Sequence, residues 1–400
     1  MRQMAVFENL WNIKFLCGTL LLFVSSATTS THAETKDESV CAQAATILRE
    51  APLLETPSTE TNSALHKDRI ERYKTAIKLC PSMAEAYYNL GIFQLREKSF
   101  ANGIENLKKA HERKPENSQF LAAYATGALE SGDQMLAQTL YKQALQLDPH
   151  SIKALQGLSI VSERTGDLKL AEQYMLRADK EDPNDEVTLF NLALLMEKQS
   201  SLPEAAKVYE RLLKVNPSNS QAANRLAVIY INQDRSADAQ QLLALILERT
   251  PRDVDALKIS ASLQSQANDQ GKAILSLKRA LEVEPDNKKI LLPLATMLLK
   301  QGSADEARKL VERASIKNPS DNELQDLLGQ AAMELGDLVL AEDSFKRSLA
   351  LNALSARTHY NYSVLLRRLG RTHESQQQRE AALKIDATLV REAEVASRNR

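Results

Sequence analysis

The chain has only three cysteines, one tryptophan and twelve glycines in 400 residues, and no surplus of either charge: 51 Lys plus Arg stand against 52 Asp plus Glu. Without a positive excess it has little with which to displace counterions from a phosphate backbone, so nucleic acid is not an expected partner. No CxxC or Cys/His cluster occurs, and none of His32, His66, His111, His150, His359 and His373 has a second ligand at metal spacing, so no metal site is expected and the histidines read as surface residues. A nucleophile elbow, a phosphate loop and an HExxH pair are likewise missing, which leaves no catalytic residue to name and no cofactor to hold. With 43% hydrophobic and 26% charged residues, the chain has the profile of an ordered, helix-rich protein able to bury a core.

Residues 1–33 differ from the rest. Arg2 and Lys14 precede a stretch from Phe15 to Ala27 almost free of polar atoms, and Thr31-His32-Ala33 follows. These are the parts of a secretory signal, with cleavage expected after Ala33 and a periplasmic or secreted location for the mature chain. The alternative is an uncleaved membrane anchor. Thirteen residues make about 20 Å of helix against a hydrocarbon core of about 30 Å, and drawing Lys14 toward the membrane centre would cost about 2.5 to 3.5 kcal/mol. Cys17 does not follow the apolar run, as a lipoprotein signal would require, and no later window reaches membrane-span length. In an oxidising compartment Cys41 and Cys80 are expected to pair as a disulfide; the alternative is two buried thiols filling a helix interface.

Prolines set the organisation. Pro81, Pro115, Pro149, Pro183, Pro217, Pro251, Pro285 and Pro319 are spaced 34 residues apart, and the ninth lattice point is Ala353. Folding the chain on this period gives nine units, starting at Ala84, Ser118, Ile152, Glu186, Ser220, Val254, Lys288, Asn322 and Ala356. The first half of each carries apolar residues at helical spacing, such as Leu189/Leu192/Met196. A break follows, often Gly-Asp as at Gly132-Asp133, Gly166-Asp167 and Gly336-Asp337, where glycine accepts the left-handed backbone that ends a helix. The second helix repeats a small residue: Ala137, Ala171, Ala205, Ala239, Ala273, Ala307 and Ala341. Ser, Asn or Asp after each proline caps the next helix. Pro293 falls inside a first helix and is expected to displace or kink its start. Residues 34–83 hold a degenerate first unit, with helices expected at Val40–Glu50 and Ile70–Cys80 and a mobile loop at 51–65. Residues 390–400 read as a tail.

Tyr88-Asn89-Leu90-Gly91, the alanine of the second helix, the aromatics Tyr141, Tyr209 and Phe345 and the closing proline resemble the tetratricopeptide repeat family over residues 84–389. The resemblance implies an all-α fold, a right-handed superhelical solenoid of antiparallel helix pairs, with the first helices lining a groove. It also implies protein or peptide partners rather than a small-molecule ligand. The positions that would face the groove include Tyr88, Asn89, Arg96, Thr126, Lys153, Gln156, Phe190, Asn191, Asn224 and Arg225. Small residues Ala122, Ala123 and Gly157 between Tyr88 and Phe190 leave either a depression flanked by rings or simply room for tight curvature. Asn89, Asn191, Asn224 and Asn361 would serve a peptide backbone, or are merely frequent at this place in the repeat. Members that clamp acidic chaperone C-termini use Lys and Asn where this chain has Tyr88 and Ile92, so that activity is not expected. Arg367, Arg368 and Arg371 form a basic cluster, read as an anion-binding patch or as a solvated face. The resulting expectation is a non-catalytic, exported scaffold or adaptor serving envelope assembly or polysaccharide export. The alternative is an accessory subunit presenting a polypeptide to an enzyme of carbohydrate synthesis or cytochrome maturation.

Overall fold

A computed structural model describes residues 36–51 and 63–398. The expected signal at 1–33 and residues 52–62 of the expected loop lie outside the described residues; residues 63–65 are not loop but the start of the second helix, which begins at Ser63 rather than Ile70, and the first helix begins at Lys36 rather than Val40. All 21 elements among the described residues are helices. The first pair is α1 (Lys36–Glu50) and α2 (Ser63–Leu79), and the first full repeat is α3 (Ala84–Arg96) with α4 (Phe100–Arg113). Eight more pairs follow in the same phase, from α5 (Ser118–Glu130) and α6 (Gln134–Leu147) to α19 (Ala356–Arg368) and α20 (Thr372–Ile385). In these nine pairs every first helix has 13 residues and every second helix 14, as in α3 and α4, and each first helix starts at the residue that the proline lattice marks.

The boundaries follow from capping chemistry. Asp133, Asp167 and Asp337 accept a backbone N–H at the start of second helices, and Asn117, Asp185, Asn219 and Asp253 do so at first helices. At the break inside each unit the chain turns through positive φ, on Gly132, Gly166, Gly302, Gly336 and Gly370 in five units. Lys98, Ser200, Asp234 and Asn268 hold the same left-handed conformation in the other four. Inside the pairs, the seven repeated alanines and Tyr141, Tyr209 and Phe345 are fully buried, so small and large residues interlock at one level of each hairpin. A further staple joins consecutive units. Arg177, Arg211 and Arg279 donate to the carbonyl oxygens of Pro149, Pro183 and Pro251, each 28 residues earlier, at 3.3, 3.2 and 3.1 Å.

The helices group into two compact units, one through Pro217 and one from Ser218. In the first, α1 and α2 close the array's beginning. Cys41 and Cys80 are joined by a disulfide with Cα atoms 4.9 Å apart, and the Tyr73 hydroxyl donates to the Ala51 carbonyl at 2.9 Å. In the second, α15 (Lys288–Lys300) starts in phase despite Pro293, so the expected displacement does not occur. Residues 390–400, expected as a tail, are helical through Arg398: α21 (Ala387–Arg398) packs on α19 and α20 and buries Val390. No helix among the described residues is long and apolar enough to cross a membrane.

Candidate functional site

The first-helix positions expected to face a partner divide into two sets. Tyr88, at the fifth position of α3, is only 5% exposed; its ring stacks on Phe120 of the next unit with centroids 4.8 Å apart. Burial pushes its hydroxyl up to about 12, against the weaker effect of the Gln119 hydrogen bond. The ring is thus a packing element between units, and the expected exposed anchor at position 88 is not there. Gln156 and Asn224 occupy the same helical position and are also buried. Gln156 donates to Asp185 at 2.7 Å and to Thr188 at 2.9 Å, and Asn224 donates to Asp253 at 3.1 Å. Asp185 and Asp253 cap the following first helix, so each amide ties one unit to the cap of the next.

The depression expected around Gly157 is filled from beneath. A Cβ at residue 157 would lie 2.1 Å from the Tyr141 ring, so the glycine exists to admit that ring, whose hydroxyl shares a 2.9 Å hydrogen bond with Thr126. Ala122 and Ala123 are buried as well. Of the two alternatives for these small residues, close packing is the one realised.

Asn89, Arg96, Thr126, Phe190, Asn191 and Arg225 remain half-buried and Lys153 exposed. Phe190 meets Tyr209 edge-on at 6.0 Å and leaves part of its ring accessible. Lys153 keeps contact with water, yet neighbouring side chains strip part of its hydration. That desolvation, followed by the charge of Arg96, holds its ammonium below the ordinary lysine pKa. Two cations from repeats one and three therefore share one region of the first-helix face.

Amphipathic pairs in a 34-residue phase, capped by Asp and Asn and interlocked by Ala and Tyr, are what a repeat profile reads. Profiles of the tetratricopeptide repeat match residues 128–188, 198–263 and 265–331, and a second profile, the TPR repeat, matches 70–96. The chain belongs to the tetratricopeptide repeat family. No curated protein sequence matches it. Among solved structures it is similar to YrrB, "a TPR protein with an unusual peptide-binding site", at 20% identity over 47% of this chain and 97% of that one, with a TM-score of 0.41. It is also similar to Pseudomonas aeruginosa pilF, at 20% identity over 52% and 94% with a TM-score of 0.46. A tetratricopeptide repeat protein of Parabacteroides merdae ATCC 43184 shares 18% identity over 66% and 98%, with a TM-score of 0.44.

The basic cluster of this TPR chain is largely spoken for. Arg368 donates to the Met333 carbonyl at 3.2 Å and reaches Glu334, while Arg371 bridges Glu342 and Glu374. The asparagine series is broken in the same way, because Asn361 donates to both oxygens of buried Asp326. A signal for these roles was present in the sequence. An amide at the fifth position of a first helix, followed 29 residues later by Asp at the next cap, marks an inter-unit tie rather than a ligand contact.

Proposed function

We propose that the chain is an exported scaffold that holds a protein or peptide partner along the first-helix face of residues 84–217. The observation that carries this reading is Lys153: desolvation by its neighbours, and after it the charge of Arg96, lowers the pKa of its ammonium, a cost that a carboxylate from a partner would offset. Asn89, Asn191 and the accessible edge of Phe190 supply hydrogen bonds and an apolar contact on the same face. The Cys41–Cys80 disulfide supports an oxidising compartment, and with it export. Within that compartment, assembly of envelope complexes or polysaccharide export is the proposed setting. The second reading, a non-catalytic subunit presenting a polypeptide to an enzyme, uses the same face.

Crosslinking from a photoreactive residue placed at Thr126, followed by mass spectrometry of the native complex, identifies the partner. With that partner, Lys153→Gln should weaken binding at least about fivefold, as loss of a charge-assisted contact does. The same change should leave the fold as stable or slightly more so, since it removes a like-charge contact. Binding unchanged in Lys153→Gln and Arg96→Gln alike would overturn the assignment of the face.

A further inference from the structure

We infer that the seam between the second helices α14 (Gln270–Val283) and α16 (Ala304–Lys317) is a second binding site, built to take the C-terminal residue of a polypeptide that ends in an aliphatic side chain. The inference starts from a gap in a regular feature. Arg177, Arg211 and Arg279 each close the seam between consecutive units by donating to a proline carbonyl 28 residues earlier. Arg313 is next in that series and Pro285 stands at the matching distance, but the bond is not made. An open surface groove of about 370 Å³ lies there instead, with Arg313 and Pro285 both in its wall. Arg347, one unit on, turns to Asp343 of its own helix at 2.8 Å, whereas Arg313 has no hydrogen-bond or ion-pair partner among the described residues.

The rest of the lining says what fits. Leu281 and Leu310 form apolar walls and Leu294 of α15 is buried beneath them, so the interior takes a hydrocarbon group. Lys278 and Glu306 close on each other across the seam at 2.6 Å and neutralise one another. Two charges are left for a ligand: Arg313, and the carboxylate of Glu282, which likewise has no partner among the described residues. Arg313 sits three residues after Leu310 on one helix, so their Cβ atoms are about 5 to 6 Å apart. A ligand satisfying both must carry its carboxylate and its aliphatic group within one residue, as a C-terminal leucine or isoleucine does. Arginine takes the carboxylate through paired N–H donors, and Glu282, in the lining of the same groove, is the acceptor for the terminal peptide N–H in this proposal. An internal acidic residue separates the two groups by a longer path and carries no such combination. This site lies between second helices, and its existence does not depend on the first-helix face being a binding surface.

The test uses the oxidised full chain with labelled leucine methyl groups and N-acetyl-leucine as probe. The methyl signals of Leu281, Leu294 and Leu310 should shift and saturate with a Kd on the order of millimolar, as suits so small a ligand. N-acetyl-leucinamide, which lacks the carboxylate, and N-acetyl-glycine, which lacks the side chain, should bind at least about tenfold more weakly. Octanoate has both groups without a peptide bond and should be at least about fivefold weaker; equal binding would reassign the groove to fatty carboxylates and overturn the C-terminus reading. Arg313→Gln should abolish the shifts. Glu282→Trp, which lays a ring across the mouth while keeping Arg313, should do so too, and both positions are exposed, so helicity checks the fold. Undiminished binding in Arg313→Gln, no discrimination against the amide, or no shift with the parent chain each overturns the inference.

Discussion

The two ends of the array meet the same problem with different chemistry. A terminal repeat has a neighbour on one side only, so it lacks half of the inter-unit contacts that hold an interior one. At the N-terminal end α1 and α2 are joined covalently through Cys41 and Cys80, and their packing on α3 is apolar, through Ala44, Ala76, Tyr73, Leu90 and Phe93. The C-terminal end has an apolar core as well, with Phe345, Tyr362, Leu365 and Leu366, and adds a charge cluster to it. Glu342 of α18 (Leu338–Leu351) accepts hydrogen bonds from the Tyr362 hydroxyl at 2.9 Å and Arg371 at 2.7 Å and pairs with Lys346 at 2.8 Å, while α21 covers the last face. One end is therefore expected to respond to redox state and the other, through Glu342, to acid.

The largest expected effect breaks the first half of this comparison. The disulfide closes a separation of 39 residues, and in the loop-closure model such a crosslink removes about 4 kcal/mol of unfolded-chain entropy. Replacing both cysteines by alanine should lower the opening free energy of α1 and α2 by about that amount, seen as faster amide exchange there, while α17 (Asn322–Glu334) to α20 keep their protection. Equal acceleration at both ends would show that the staple serves the whole array and not its end.

An interior change provides the contrast to either end. Gly157→Ala puts a methyl 2.1 Å from the buried Tyr141 ring, which has neighbours on every side and cannot swing out. A cost of about 1 to 3 kcal/mol is expected, spread over the units on both sides rather than confined to one hairpin. Denaturant unfolding with exchange measured by mass spectrometry would show the spread; a loss restricted to α5 and α6 would contradict it.

That glycine also marks where the sequence stopped being readable. Period and cap chemistry are local: a proline, an aspartate or a glycine acts on its own turn, so the helix starts and breaks of the nine full units could be placed in advance, whereas α1 and α2, which lie outside the proline series, begin before the expected Val40 and Ile70. Which residue fills which space is not local. Tyr88 stacks on Phe120 of the next unit, and Tyr141 rises into the place of a missing Cβ at residue 157. These contacts join side chains about one half to one full repeat apart, and a helical-wheel position does not encode them. Amides at 156 and 224 read as ligand contacts in the sequence because their partners, the caps of the following helices, lie across a unit boundary. Helix α21 was missed because its apolar stripe is short and it has no counterpart in the period.

The pH dependence of the C-terminal end is a smaller effect. Hydrogen bonds from Lys346 and then Arg371 hold Glu342 down at about 2, against an ordinary glutamate value of 4.5. The folded pKa lies below the unfolded one, so the contribution is fully present above about pH 5 and is lost as the pH falls toward 2. Solvent reaches the partners, so after screening about 1 to 2 kcal/mol is expected rather than the full shift. Exchange of α18 to α20 should therefore accelerate between pH 5 and 3 in the parent chain, beyond the intrinsic trend, and Glu342→Gln should flatten that response. The disulfide-stapled α1 and α2, where His66 faces Glu97 of α3 at 3.4 Å, should show a smaller response. A matching acid response at the N-terminal end would erase the distinction.

The smallest effect lies in the breaks nearest the two ends. In the first full unit the turn between α3 and α4 is made by Lys98 at φ +58°, and in the last unit the same turn is made by Gly370 at φ +73°. Holding an L-residue in the left-handed region costs roughly 1 to 2 kcal/mol. Glycine avoids that strain but gives the unfolded chain more freedom, worth about 0.5 to 1 kcal/mol in the opposite direction. The balance favours glycine by about 0.5 kcal/mol, so Lys98→Gly should raise the stability of the N-terminal hairpins by that much, and Gly370→Ala should lower that of the last unit by a similar amount. No side chain obscures the second measurement, because nothing lies within 4 Å of a Cβ added at residue 370, and the change therefore reads backbone strain alone. The first is complicated only by loss of the lysine charge, which Lys98→Gln controls for, since glutamine keeps the backbone cost. Lys98→Gln stabilising as much as Lys98→Gly would assign the gain to charge, and the two turns would then not differ in strain.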